Sequence, residues 1–335
     1  MPSDAQHHLA ARDRWRPIEL VFWLATLLPF ALVPTYLTLA SQIAITAAFA
    51  VSLDLIMGYA GLVSLGHAAY FGLGAYTAGL IAKAGWGEPF SGLVIAGAAS
   101  GAFGWLTAFV VVRVRHLALI MITLGINLLL YEAANRADWL TGGNDGLQGV
   151  AIWPLFGRFD FDLYGYTAYA YALAVLLLVV LVARRVVHSP FGLSLRAIRE
   201  NERRMPAIGA PSRARLRLVY TIAATIAGIA GGLLAQTTQF VSLGALSFER
   251  SAELVTILVI GGSARLYGGI VGAIVYLLAR DRLSGINPQY WYFWIGIMLI
   301  GIVLFLPNGI LGSLATLRLA FLGPRLRGDD DGRAP

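Results

Sequence analysis

Long apolar stretches dominate this chain, and none of them alternates polar and apolar residues with period two. The first, residues 18–39, would measure about 33 Å as a helix, which is enough to cross the hydrocarbon core of a bilayer. Such continuous runs predict an all-α integral membrane protein rather than an outer-membrane barrel. With this first stretch, the predicted spans number about ten; the others cover residues 41–62, 66–83, 91–112, 117–135, 166–183, 218–239, 252–263, 267–280 and 291–306.

Two of these spans have an alternative interpretation. Arg12, Arg14 and Arg16 precede the first, as in a signal peptide, but its apolar run is too long and another span follows almost at once. The eighth span is short and ends in the glycine-broken segment 261–265, which is typical of backbone that lines a pathway. An earlier start near Phe248 is equally compatible with the sequence.

Composition excludes several classes of protein. The chain is 58% apolar and 13% charged, with a mean hydropathy of +0.72, which places it outside the soluble class. Lys83 is the only lysine and stands between two alanines, so no phosphate-binding Gly-Lys-Ser/Thr loop exists and ATP must be hydrolysed by a partner. The absence of cysteine excludes disulfides and thiolate chemistry. Scattered histidines and missing serine motifs predict neither a metal site nor an enzyme.

The distribution of arginine predicts the orientation, because short cytoplasmic loops collect basic residues. The formal net charge is +7, and segment 184–217 alone carries nine arginines against two glutamates. Threaded through ten spans, this segment falls on the same side as the amino-terminal tail and the turn 113–116. The predicted organisation is a cytoplasmic tail 1–17, a single transmembrane domain 18–312 with a cytoplasmic loop 184–217 and an acidic external loop 136–165, and a cytoplasmic tail 313–335.

Three pairs of glycines stand four residues apart on predicted helices. Glycine at this spacing lets two helix backbones approach closely, so we predict helix packing at these positions and no chemistry. The pairs are Gly97 with Gly101, Gly228 with Gly232, and Gly268 with Gly272.

The segment 58–76 contains too many glycines for an uninterrupted helix, and we predict a break near 61–66. Asp54 precedes it inside an apolar run, where an unpaired charge is costly and is a functional candidate. As structural alternatives, Asp54 bonds amides freed by the break or pairs with His67, and His67 forms an interhelical hydrogen bond. The candidate pathway residues are Asp54, Gly61, Ser64, Gly66 and His67.

From about residue 40 to 310 the chain resembles the membrane-spanning permease subunits of bacterial branched-chain amino acid ABC importers, of the LivM type. The resemblance rests on five motifs. They are residues 58–68, 141–147, 189–192 with 196–202, Glu249-Arg-Ser-Ala-Glu253, and 306–310. The chain departs from the family pattern Gly-Gly-Leu-Gly-Ser-Leu-Tyr-Gly-Pro at Ser263, Ala264, Arg265 and Gly269. Pro206 in the cytoplasmic motif is expected to start or break a helix.

The resemblance implies the larger, roughly ten-helix fold of importer permeases and a multi-pass protein of the bacterial inner membrane. It implies a second permease subunit of the LivH type, two cytoplasmic ATPases that hold ATP and magnesium, and a periplasmic substrate-binding protein. This chain itself would hold no cofactor and no nucleic acid, and the lipid bilayer would surround it. The implied substrates are branched-chain amino acids, although similar subunits serve urea, short amides or aromatic acids.

An ion-coupled secondary transporter that uses Asp54 and His67 is the alternative from another class. Such a transporter does not need the long basic stretch 184–217, whereas a permease needs a surface for its ATPase. This stretch therefore favours the permease interpretation.

Two polar segments are candidate contacts with partners. The turn 141–147 lies in the external loop, and Asn144 and Asp145 are candidates for docking the binding protein; an ordinary ordered turn is the alternative. Residues 194–209 are predicted to form the coupling helix, with Leu195, Ile198 and Ile208 facing the ATPase; a basic loop on anionic lipids is the alternative. The candidate coupling residues are Arg196, Arg199, Glu200, Asn201, Glu202 and Gly209.

Overall fold

The computed structural model describes residues 17–32, 34–161, 165–202, 204–207 and 209–313. Within these ranges the chain is helical, and its extended pairing is limited to two isolated bridges, Leu147 with Val241 and Leu155 with Phe159. The all-α prediction is confirmed for this part of the chain. The predicted tails 1–17 and 313–335 lie outside the described residues, apart from Pro17 and Ser313.

We number fourteen α-helices in the described residues. They are α1 Pro17–Ala25, α2 Leu28–Leu32, α3 Leu37–Asp54, α4 Ala68–Lys83, α5 Pro89–Val111, α6 His116–Arg136, α7 Asp138–Thr141, α8 Tyr166–Val187, α9 Pro190–Glu200, α10 Arg204–Ala207, α11 Ser212–Thr238, α12 Phe248–Gly261, α13 Gly268–Ile286 and α14 Trp291–Phe305. A π-helical turn, Leu55–Tyr59, follows α3, and short 3₁₀ turns occupy Pro34–Tyr36, Gly143–Asp145 and Leu243–Leu246.

Six helical segments of the described chain are long and apolar enough to cross a membrane. They are Pro34–Tyr59, Pro89–Val111, His116–Arg136, Tyr166–Val187, Ser212–Thr238 and Trp291–Ser313. The other four predicted spans coincide with helices that are shorter or more charged, namely α1 with α2, α4, α12 and α13. Length and composition therefore establish a multi-pass membrane protein, while the count of ten stays a prediction.

The first predicted span was wrong as a single helix. Residues 18–39 contain α1, α2 and a 3₁₀ turn, and α3 already begins at Leu37. Proline explains the interruptions, because it lacks an amide hydrogen and fits only the first turn of a helix. Pro29 is the second residue of α2, and Pro34 opens the 3₁₀ turn. At the eighth span the alternative start is confirmed: α12 begins at Phe248, and the Ser247 hydroxyl accepts the Arg250 amide at 3.2 Å.

Close packing of α5 against α11 forms the centre of the core. A Cβ added at Gly97 would lie 2.8 Å from Ile229 Cγ1, and one added at Gly232 would lie 2.9 Å from Ala96 Cβ. These distances leave no room for a methyl group, so the predicted packing role of the small residues is confirmed. The pair Gly268 and Gly272 plays the same part where α13 meets the backbone at the end of α12.

Large apolar side chains are exposed on the outer helices. Met121 and Leu129 of α6 are 64% and 73% exposed, and Leu304 and Phe305 of α14 are 71% and 82% exposed. In a soluble monomer such surface would be unfavourable, whereas lipid tails cover it at no cost. The outer helices thus face the bilayer or another membrane subunit.

Candidate translocation and coupling site

The break predicted near 61–66 exists and is longer than predicted. The π turn Leu55–Tyr59 already loosens the helix, and residues 60–67 are non-helical before α4 begins. Gly61 has φ +74°, in the left-handed region that favours glycine. The Leu62 amide donates to the Ile56 carbonyl at 2.8 Å, so the turn closes on itself. Helix α3 therefore ends in an ordered kink, inside the bundle.

Asp54 lies at the start of this kink and is 2% exposed. Its Oδ1 accepts the backbone amide of Ala264 at 2.7 Å. The prediction was that Asp54 bonds amides freed by the break near 61–66. Its partner Ala264 lies instead in the turn between α12 and α13. Gly58 leaves the space for this bond, because a Cβ there would overlap Asp54 Oδ1. Asp54 joins the end of α3 to the α12–α13 turn.

The proposed pairing of Asp54 with His67 is wrong. His67 Nε2 lies 2.9 Å from Ser52 Oγ, and its ring stacks on Phe49 with centroids 5.6 Å apart. The histidine at the start of α4 is thus held by two side chains of α3. This confirms the alternative of an interhelical hydrogen bond.

The other pathway candidates divide by exposure. Ser64 and Gly66 are buried with His67, and a Cβ at Gly66 would overlap the Thr123 carbonyl of α6. Gly61 is exposed, as is its neighbour Val63 at 37%. In the single chain, therefore, one side of the break is packed into the bundle and the other is open.

The segment predicted as one coupling helix from 194 to 209 consists of two helices, α9 and α10. The chain is extended at Asn201, and the Arg204 amide donates to Asn201 Oδ1 at 3.2 Å, which starts α10 after a turn. Pro206 is the third residue of α10, in the first turn where proline is tolerated. Gly209 has φ +78°, as predicted for the residue that follows the helix. Arg203 and Ile208 lie outside the described residues.

The predicted orientation of α9 is wrong. Leu195 and Ile198 are 0% and 2% exposed and belong to the core of this chain. Ser189 caps the helix, since its hydroxyl accepts the Gly192 amide at 3.3 Å. The exposed face of α9 carries Leu193, 41% exposed, with Arg199 and Glu200. The apolar stripe of α9 was predicted correctly, but it packs inward.

Besides Asn201, three of the coupling candidates have partners in the chain. Arg199 Nη1 donates to the Gly58 carbonyl in the π turn, and the Arg196 guanidinium lies 5.2 Å from the Tyr59 ring centroid. Glu202 forms an ion pair with Arg115, so it is not a free acid as predicted. Glu200 has no ion-pair partner among the residues that the structure describes. Two arginines thus connect α9 directly to the kink after α3.

The turn 141–147, which was predicted to be external, is ordered, as its alternative interpretation predicted. Gly142, Gly143 and Gly146 have φ between +54° and +79°, and the Leu147 amide donates to the Val241 carbonyl at 2.7 Å. Asn144 and Asp145 are exposed at the tip. An open cavity of about 510 Å³ lies beside them, and its charged lining residues are Lys83, Asp138 and Asp145. The turn is a rigid polar surface, and whether it docks a partner stays a prediction.

Sequence reasoning missed a group of charged residues. Glu253 of α12 forms one ion pair with Arg250 of the same helix and another with Arg280 of α13. Arg265 Nη1 donates to the Asn308 carbonyl at 2.7 Å. Arg250 and Glu253 were part of the motif that carries the resemblance. The available signal was the presence of charges at helix spacing inside predicted spans.

Residues 35–303 match the family described as branched-chain amino acid transport system, permease component. The chain belongs to this family. It is 28% identical to the high-affinity branched-chain amino acid transport system permease protein LivM of Salmonella typhimurium, over 86% of this chain and 72% of the relative. The Escherichia coli LivM protein is equally similar.

A second type of relative matches as well. The chain is 22% identical to the permease protein LivH of the same transport system from Escherichia coli, over 79% of this chain and 91% of LivH. No solved structure matches the chain. The chain is thus similar to both permease types, and its similarity to LivM is greater than its similarity to LivH.

Proposed function

We propose that this chain is the membrane-spanning permease subunit of an ABC importer, and that it translocates branched-chain amino acids delivered by a periplasmic binding protein. Family membership and the names of the LivM and LivH relatives support the transport role. The chain pairs with a second permease subunit of the LivH type. Separate cytoplasmic ATPases, which bind ATP and magnesium, drive the cycle, because this chain has no phosphate-binding loop.

The contact of α9 with the kink after α3 is the observation that carries the coupling proposal. Arg199 holds the Gly58 carbonyl, and Gly58 stands one helical turn after Asp54. Asp54 in turn holds the Ala264 amide. A movement of α9 driven by ATP is therefore passed to the kink and to the α12–α13 turn, which together change the packing around Ser64, Gly66 and His67.

The surface offered to the ATPase is smaller than the sequence predicted. Because Leu195 and Ile198 pack inward, the contact is left to Leu193 and to the end of α9 with Glu200 and Asn201. Gly209 shapes the chain after α10. On the opposite side, Asn144 and Asp145 are the proposed docking surface for the binding protein.

Reconstitution of the complete complex tests the function. In proteoliposomes that contain ATP, leucine uptake is expected to require the loaded binding protein and to stop with vanadate. Collapse of the proton and sodium gradients is expected to leave uptake unchanged. Uptake that follows an ion gradient and ignores vanadate would instead establish a secondary transporter.

Arg199→Ala is expected to uncouple hydrolysis from transport. The variant loses the contact with the Gly58 carbonyl but keeps the buried face of α9, so we expect ATPase subunits to stay bound while leucine uptake falls about tenfold per ATP hydrolysed. Arg213→Ala is the matched control, since Arg213 is an exposed arginine near the same loop without a hydrogen bond among the described residues. Equal losses in both variants would contradict a specific role for Arg199.

A further inference from the structure

Three charged side chains meet where α12 and α13 pack together. Arg250 Nη1 lies 2.8 Å from Glu253 Oε2, and Arg280 Nη1 lies 3.1 Å from Glu253 Oε1. The Arg250 and Glu253 side chains are 19% and 13% exposed. Charges inside membrane helices are costly and generally serve a function. None of these residues belongs to the kink or to α9.

A cavity of about 180 Å³ adjoins both arginines. Its volume is more than ten times the roughly 15 Å³ that one water requires, so a small solute fits. One part of the lining is polar and the other is apolar. The polar part consists of Gln42, Thr46, Arg250 and Arg280, and the apolar part of Ile45, Leu234 and Leu277.

The polar lining has unused binding capacity. Two guanidinium groups share one carboxylate, so these three residues carry a net charge of +1 and retain several N–H donors. Thr46 is 2% exposed and lines the cavity, and its hydroxyl makes no hydrogen bond within the described residues. Gln42 is an exposed residue of the same lining, and its amide makes no side-chain hydrogen bond there either. This arrangement is complementary to a ligand that brings a carboxylate and further hydrogen-bonding groups.

We infer that this cavity is a binding station for one free α-amino acid with an apolar side chain. The substrate carboxylate lies against Arg250 and Arg280, which bind carboxylates well because guanidinium donors form a planar fork. Oxygens of Thr46 and Gln42 accept from the substrate ammonium, and its side chain packs on Ile45, Leu234 and Leu277. The inference rests on the proposed function and extends it to a binding site for the substrate.

The position of the station suits the first step of import. Gln42 is near the start of α3, and Arg280 is near the end of α13. Both helix ends are external in the proposed topology, so the station lies in the outer half of the membrane. Asp54 at the kink follows Thr46 by eight residues of α3, about 12 Å further inward. The station therefore receives the amino acid before the kink does.

The double variant Arg250→Gln, Glu253→Gln tests the station by removing the two more buried charges together. Arg280 loses its ion-pair partner, but its side chain is 42% exposed and stays hydrated. In the reconstituted complex we expect assembly and binding-protein-stimulated ATPase activity to persist, while leucine uptake falls at least tenfold. Glu132→Gln, Arg136→Gln is the matched control, because it removes an exposed ion pair of 2.6 Å on α6. Normal uptake by the Arg250, Glu253 variant would overturn the inference.

Thr46→Val and Thr46→Cys test the station even if the Arg250, Glu253 double variant does not fold. Thr46→Val keeps the shape and removes the hydroxyl, and we expect a KM for leucine uptake raised several-fold at unchanged assembly. In membranes with Thr46→Cys, we expect millimolar leucine to slow the labelling of the cysteine by maleimide. Leucinamide, which lacks the carboxylate, is expected to leave the labelling rate unchanged. An unchanged KM or equal protection by both compounds would overturn the station. Absence of ATP-dependent leucine uptake by the wild-type complex would instead overturn the proposed function itself.

Discussion

At the scale of single residues, Ala264 has a conformation that alanine avoids. Its φ is +60°, in a turn where the family pattern has glycine, and its amide donates to Asp54 Oδ1. The left-handed conformation costs a non-glycine residue about 1–2 kcal/mol, which exceeds the entropic cost of glycine. We expect Ala264→Gly to stabilise the protein by about 0.5–1 kcal/mol, measured as a higher apparent Tm in detergent at one scan rate.

The same substitution in a right-handed helix is the control. Ala273 is buried in the middle of α13, where glycine lacks a packing methyl and loses more entropy on folding. Ala273→Gly is expected to lower the apparent Tm. If Ala264→Gly lowered it equally, the left-handed strain at Ala264 would be refuted.

Asp54 and Arg250 show how far residue-level prediction reached. A charge inside an apolar run identified Asp54 as important, because the surrounding apolar residues already indicate that it is buried in the membrane. Its partner, the Ala264 amide, stands 210 residues further along the chain, and only tertiary structure brings the two together. The proposed role of Arg250 and Glu253 could not be predicted, because ion pairing within a helix is also common on protein surfaces.

At the scale of elements, the start of α5 depends on Glu88. Its carboxylate accepts the amides of Phe90 and Ser91, which are unpaired donors of the first helical turn. Partial burial alone would raise the pKa of Glu88, but the hydrogen bonds from Ser91 and Phe90 outweigh it and lower the pKa. Because the pKa of Glu88 is lower in the folded protein than in the unfolded chain, the ionised carboxylate stabilises the fold at pH values above the ordinary carboxyl pKa. This stability is lost as the pH falls through the lowered pKa of the folded protein.

Glu88→Gln is therefore expected to destabilise the protein at pH 7 by about 0.5–1 kcal/mol. The difference in apparent Tm between wild type and variant is expected to shrink as the pH falls below the ordinary carboxyl range. Glu200→Gln is the control, since Glu200 is an acid at the end of α9 without an ion-pair partner among the described residues. This variant is expected to change neither the apparent Tm at pH 7 nor its dependence on pH. A deficit of Glu88→Gln that is constant with pH would contradict the charged cap.

Helix α9 shows why an element can be predicted and its role misjudged. Leu195 and Ile198 have the spacing of an apolar stripe, which correctly predicted an amphipathic helix. The pattern does not say what covers the stripe, and here the covering surface is the chain itself. Helix α9 ends at Glu200 and α10 begins at Arg204 because the chain turns at Asn201. The sequence gives only a weak indication of this turn.

At the scale of the whole molecule, the helix order and the charge distribution support one orientation. The ion pair of Arg115 with Glu202 places the α5–α6 turn beside the α9–α10 turn, so the two basic segments occupy the same end of the bundle. The bridge of Leu147 with Val241 places the acidic loop beside the end of α11. Because short basic loops stay cytoplasmic, we propose that the end with Arg115 is inside and the end with Leu147 is outside.

Cysteine accessibility measures this orientation directly, since the chain contains no cysteine of its own. Asp145 and Glu200 are both exposed, so an introduced thiol can react at either position once the reagent reaches that side. In intact cells whose outer membrane is permeable to small molecules, we expect an impermeant maleimide to label Asp145→Cys and not Glu200→Cys. Inverted inner-membrane vesicles are expected to give the opposite pattern, and Ala227→Cys, buried in α11, is expected to react in neither. Labelling of Glu200→Cys in intact cells would contradict the proposed orientation. It would also contradict the proposed contact of α9 with a cytoplasmic ATPase.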